Sequence, residues 1–127
     1  MSETVFSIIE SPRHPNLTAL FKRLGMNEVK LNSIRKANAE LKKQLPDFVV
    51  AEFIYGYGSN YSGVHISNLD VFLVTLLKYK CEAKVIVLVD KTERQFVDKL
   101  NEIMPLYEVL QFPVSETDVE ACLNQSS

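Results

Sequence analysis

Two short runs, Phe48–Phe53 and Val85–Val89, constrain this chain more than any other feature. The first reads FVVAEF and follows Pro46-Asp47. The second reads VIVLV and ends at Asp90-Lys91. Both are too short for a typical helix and rich in β-branched or aromatic residues. The aliphatic stretches contain no polar alternation, so both faces need cover. A central strand of a parallel sheet, with helices above and below, meets that need.

The rest of the chain supplies the helices. Val5–Ile9 is a further strand, stopped by Glu10-Ser11-Pro12. Pro15 suits the first turn of a helix. Leu17, Leu20, Phe21 and Leu24 form its apolar stripe, and Gly25 closes it. Val29 and Leu31 alternate with Glu28 and Lys30, the pattern of an edge strand with one wet face. A second helix is expected from about Ser33 to Leu45, with Ile34, Ala37, Leu41 and Leu45 inward. Its Arg35, Lys36, Lys42 and Lys43, offset by Glu40, read as a solvated face rather than an anion site.

After the third strand a long loop runs to Ile66. A third helix then begins near Ser67, capped by Asp70, and its body LDVFLVTLL is apolar on nearly every side. That composition predicts deep cover. Thr92 with Gln95 predicts the cap of a fourth helix, whose inner face is Phe96, Val97, Leu100, Ile103 and Met104. Tyr107–Phe112 is the fifth strand. Ser115 and Asp118 cap a short last helix carrying Val119, Cys122 and Leu123. Five β-α units predict an α/β fold: a single flavodoxin-like (βα)5 three-layer sandwich with a parallel sheet in the order 2-1-3-4-5. One domain is expected over residues 1–127, its core between about 4 and 123.

Composition narrows the function. A net charge of −2 with mixed signs speaks against a nucleic-acid binder. No apolar run approaches the ~20 residues of a membrane span. The start MSET lacks a basic leader region, so no membrane association and a cytoplasmic location are expected. Cys81 and Cys122 have no metal-ligand or redox spacing and read as ordinary thiols.

The predicted strand order places Glu10 and Glu52 together at the carboxyl edge of the sheet, where ligands collect in this fold class. Beyond Glu52 lies an aromatic, glycine-rich loop. Tyr55, Tyr57, Asn60 and Tyr61 have the composition of a contact surface. The alternative is that the tyrosines fold back over the acidic edge. Gly56, Gly58 and Gly63 lack the third glycine of a dinucleotide loop, Tyr61 standing in its place, and no Lys-Ser/Thr follows. His14 and His65 could reach the same edge. With no nucleophile and orienting group beside them, they read as surface loop residues.

With Asn38–Phe53, NAELKKQLPDFVVAEF, and with FPVS at 112–115, the chain resembles the receiver domain of two-component response regulators over nearly its whole length. The resemblance implies a metal-binding acidic pair after the first strand, an Asp phosphoacceptor after the third, and a Ser or Thr after the fourth. It also implies a Lys before the Pro that follows the fifth strand, and an aromatic residue within that strand. This chain carries Glu10 and Ser11, Glu52, Val89, Phe112 and Val109 at those positions. Phosphoryl transfer rests on positioning and charge stabilisation. Val89 cannot bond a phosphoryl oxygen, and Phe112 cannot neutralise one. The resemblance therefore implies a degenerate pocket: no enzymatic activity, no metal, no cofactor and no tight Mg²⁺ binding. It implies a pseudo-receiver acting through a protein partner, or as a homodimer, in bacterial signalling. The alternatives are a small-ligand sensor at the carboxyl end of the sheet, an atypical phosphoacceptor, or Glu52 as a standing mimic of a phosphorylated Asp.

Overall fold

The computed structural model describes residues 3–55 and 67–124. Five parallel strands, β1 (Thr4–Ile8), β2 (Asn27–Leu31), β3 (Phe48–Glu52), β4 (Lys84–Val89) and β5 (Glu108–Gln111), form one sheet in the order β2-β1-β3-β4-β5. The helices are α1 (Thr18–Arg23), α2 (Ile34–Glu40), α3 (Asp70–Lys78), α4 (Arg94–Val97) and α5 (Glu116–Asn124). This is the predicted flavodoxin-like topology.

The two aliphatic runs explain the layering. Side chains alternate across a strand, so Val49, Ala51, Val85, Val87 and Val89 meet α2, α3 and the α4 region in one core. Phe48, Val50, Ile86 and Leu88 meet α1 and α5 in the other. Every residue of β3 is buried. Glu52 follows Phe48 and Val50 by the same parity and so falls on the α1 side. Truncating a fully buried ring such as Phe72 in cores of this kind costs about 3–5 kcal/mol.

Local signals set most element ends. Asp47 ties three strand starts together: its carboxylate accepts from Thr4 N, its N–H donates to Thr4 O, and its C=O accepts from Lys84 N. Ser33 caps α2 through Lys36 N. Ser115 and Asp118 exchange hydrogen bonds as a reciprocal cap for α5. Gly25, at φ +74°, ends α1 in a Schellman motif, with Met26 N–H bonded to Phe21 O and Gly25 N–H to Lys22 O.

Several expectations are corrected. α1 begins at Thr18, so Pro15 precedes the helix, and Leu24 is exposed rather than inward. α2 ends at Glu40, and Leu45 is exposed. The fourth helix is broken: α4 is one turn between 3-10 segments Lys91–Glu93 and Asp98–Glu102. Its cap is Asp90, which accepts from Thr92 N and Oγ1; Thr92 is not the capping residue. Glu28 of the edge strand accepts from Ser7 Oγ and Thr18 Oγ1, tying α1 to β1.

The third helix departs most from expectation. It begins at Asp70, three residues later than predicted, although Asp70 Oδ1 does accept from the Ser67 N–H, and from its hydroxyl as well. Phe72, Leu73 and Leu76 are buried, but Val71, Val74 and Leu77 are exposed, Val74 by 52%. The deep cover predicted from its composition is absent on that side among the described residues. Its end repeats the Schellman pattern with Lys80 at φ 57° in the glycine position.

Candidate functional site

β1, β3 and β4 end side by side, and the loop after β1 folds across the end of β3. Glu52 is 2% exposed. Its Oε2 accepts from the N–H groups of Glu10 at 2.6 Å and Ser11 at 2.9 Å. Its Oε1 accepts from Ser11 Oγ. Both carboxylate oxygens are thus bound by the chain itself. His14 completes the enclosure. Its side chain is fully buried, and Nδ1 lies 3.4 Å from Glu52 Oε2. That is close enough for electrostatic attraction, but neither ring nitrogen has a hydrogen-bond partner of proper geometry.

The Glu10 carboxylate has a partner of its own. Its Oε1 accepts from Asn68 Nδ2 at 2.6 Å. Asn68 is buried at the approach to α3. Its Nδ2 also donates to Glu52 O, and its Oδ1 accepts from Ile54 N. The pKa values of the two glutamates are therefore displaced in opposite directions. Burial works to raise the Glu52 pKa, but His14, Ser11 and the two backbone N–H groups outweigh it and hold the carboxyl below the ordinary glutamate value. Burial raises that of Glu10. Asn68 offsets it only in part, and the nearby Glu52 charge adds to the rise.

On the outer side, Arg13 reaches across the sheet edge. Its Nη1 lies 2.7 Å from Asp90 Oδ1 beyond β4, and its guanidinium sits 4.3 Å above the Phe112 ring beyond β5. The Thr92 hydroxyl and Arg13 hold the Asp90 carboxyl well below its usual range. Tyr55 leaves the other side of the site. Its N–H donates to Glu93 Oε1 at 3.0 Å, and its ring stacks on Phe96 at 3.9 Å.

Of the residues singled out from sequence, Glu10, Ser11 and Glu52 come together. Val89 does not join them; it is buried on the opposite face, in the core that the sheet forms with α2, α3 and the α4 region. Phe112 belongs to the α1–α5 core and carries Arg13 on its face. Tyr55 packs on Phe96 rather than over the acidic edge. Tyr57, Asn60, Tyr61 and His65 lie outside the described residues. His14, expected at the surface, is buried against Glu52 because the loop turns inward after Ser11, with His14 N–H bonded to Ser11 O.

Arg13, Asn68 and Asp90 hold places in this edge that the sequence alone does not assign to them. The extra cation two residues after Ser11 was the available signal for Arg13.

The receiver resemblance implies Mg²⁺ at this edge, and the donor set does not fit it. A hard cation needs free oxygen ligands, but Glu52 offers two oxygens already bound to N–H and O–H groups. Ser11 stands where the second acid would be. Among the described residues no group of three or more His, Cys, Asp or Glu could hold a metal. Nor, among them, is any helix long and apolar enough to cross a membrane.

No family model matches the sequence, and no curated protein matches it. Solved structures do. A signal receiver domain from Vibrio parahaemolyticus superposes with a TM-score of 0.72 at 13% identity, over 98% of this chain and 89% of that one. The receiver domain of Francisella response regulator 1452 gives 0.69 at 12% identity, over 99% and 100%. A DNA-binding response regulator of the LuxR family from Staphylococcus aureus gives 0.69 at 13%, over 97% of each. At these identities the likeness is one of architecture: the chain has the fold of response-regulator receiver domains.

Proposed function

We propose that this chain is a pseudo-receiver: a non-enzymatic, phosphorylation-independent module acting through protein–protein contact or dimerisation in bacterial signal transduction. One observation carries the reading. The carboxylate at the phosphoacceptor's place is consumed as a structural acceptor by Glu10 N–H, Ser11 N–H and Ser11 Oγ. A nucleophile bound by three donors is poorly available to attack phosphorus, and apolar Val89 and Phe112 stand in sequence where the resemblance calls for groups that would stabilise the transferred charge. The receiver fold of the similar structures supports the signalling context.

The test is incubation with acetyl phosphate and Mg²⁺, followed by intact mass and sedimentation across a dilution series. The expected result is an unchanged mass and a sedimentation profile the same with and without the phosphodonor. A phosphoryl adduct mapped to Glu52 would overturn the reading.

A further inference from the structure

We propose that residues 10–14 form a strap that couples the Glu52 anchor to the start of the α4 region, so that the two ends open and close as one unit. The coupling is carried by shared atoms. Ser11 Oγ donates to Glu52 Oε1 and also accepts from Arg13 N at 3.2 Å. The hydroxyl that fastens the strap to β3 therefore also fixes the backbone from which Arg13 projects.

Arg13 then binds Asp90 Oδ1 through Nη1, while Asp90 Oδ2 accepts from Thr92 N at 3.0 Å and from Thr92 Oγ1. The carboxylate that holds Arg13 is thus the cap of the first turn after β4. That turn contains Glu93, whose carboxylate accepts from Tyr55 N, three residues beyond Glu52. The chain of contacts closes on itself around the carboxyl edge: Glu52, Ser11, Arg13, Asp90, Thr92, Glu93 and back to β3 through Tyr55.

The strap has two unlike ends. The inner one is buried. The outer one is a half-exposed ion pair, reinforced by the guanidinium on Phe112. Whatever displaces Arg13 from outside would loosen the grip on Glu52, and whatever disturbs Glu52 would loosen the cap of the α4 region. Coupling of this kind is reciprocal. It holds whether or not the protein accepts phosphoryl groups, so it fails independently of the proposed function.

Amide hydrogen exchange read by NMR tests it. Arg13→Ala removes only the side chain and leaves the Arg13 N–H to Ser11 bond chemically intact. Because Arg13 is half exposed, the variant is expected to fold. The expected result is exchange faster by about tenfold at Thr92 and also at Ser11 and Glu10, with Val87 in β4 unchanged as the reference for global opening. In the reciprocal variant, Glu52→Gln, the Thr92 amide is expected to exchange faster relative to Val87. Faster exchange at Thr92 alone in Arg13→Ala, with Glu10 and Ser11 as in the parent, would show two independent anchors and overturn the proposal.

Discussion

The two ends of the loop after β1 hold the sheet edge by opposite means. At the inner end Glu52 is almost fully buried and takes three hydrogen bonds from Glu10 and Ser11, with His14 beside it. At the outer end Arg13 and Asp90 pair in partial contact with water. A buried carboxylate is tolerated only when its lone pairs are satisfied, and removing it strands the donors that satisfied it. An exposed ion pair gains little, because water and salt screen it. Stability in this edge therefore resides at the inner end and adjustability at the outer. The inner contact fixes the fold; the outer one is easily rearranged.

The largest effect is expected at the inner end. Glu52→Ala leaves two N–H groups and a hydroxyl without their acceptor, and should cost about 3–4 kcal/mol in urea unfolding. A loss comparable to that of a surface substitution would mean the clamp is not structural. Asn68→Ala should cost about 2 kcal/mol, since Ile54 N, Glu52 O and Glu10 Oε1 all lose their partner.

Acidity separates the two carboxylates at the inner end. Glu52 has a depressed pKa in the folded state, so its contribution is present above the ordinary value of 4.5 and fades as pH falls through its lower folded value. Glu10 is raised, so its contribution runs the other way, present below 4.5 and lost as pH rises through its higher folded value. The stability gap between the parent and Glu52→Gln should therefore narrow below about pH 4.5, and that between the parent and Glu10→Gln should change at higher pH. Urea midpoints measured across pH would show it, and a gap for Glu52→Gln that widens on acidification would contradict the assignment.

The smallest effect belongs to the outer end. Arg13→Ala should leave the urea midpoint close to the parent while altering local exchange. A large loss of global stability would erase the distinction between the two ends.

What could be read beforehand was what local pattern controls. The strands β3 and β4 follow from unbroken apolar runs. The cap at Ser115–Asp118 follows from residue type, and the end of α1 follows from Gly25. The meeting of Glu10 with Glu52 followed from strand order alone. The remainder depends on contacts distant in sequence. Arg13 and Asp90 are 77 residues apart, and nothing in either neighbourhood announces the other. Asn68 carries no signal of its own until β1 and β3 are placed beside it. His14 looked like a loop residue because its burial depends on the turn made by Ser11. Composition misled at α3, where Val71, Val74 and Leu77 project outward although the helix reads as apolar all round.

The Glu52 carboxylate is already bound by its own chain, and the proposed function requires that it be closed to a phosphoryl group and its metal. Titration with beryllofluoride and Mg²⁺, followed at the Ser11, Glu52 and Thr92 amides, tests it most directly. The expected result is resonances that stay where they are at every addition. A saturable shift of Ser11 and Glu52, lost in Glu52→Gln, would contradict it.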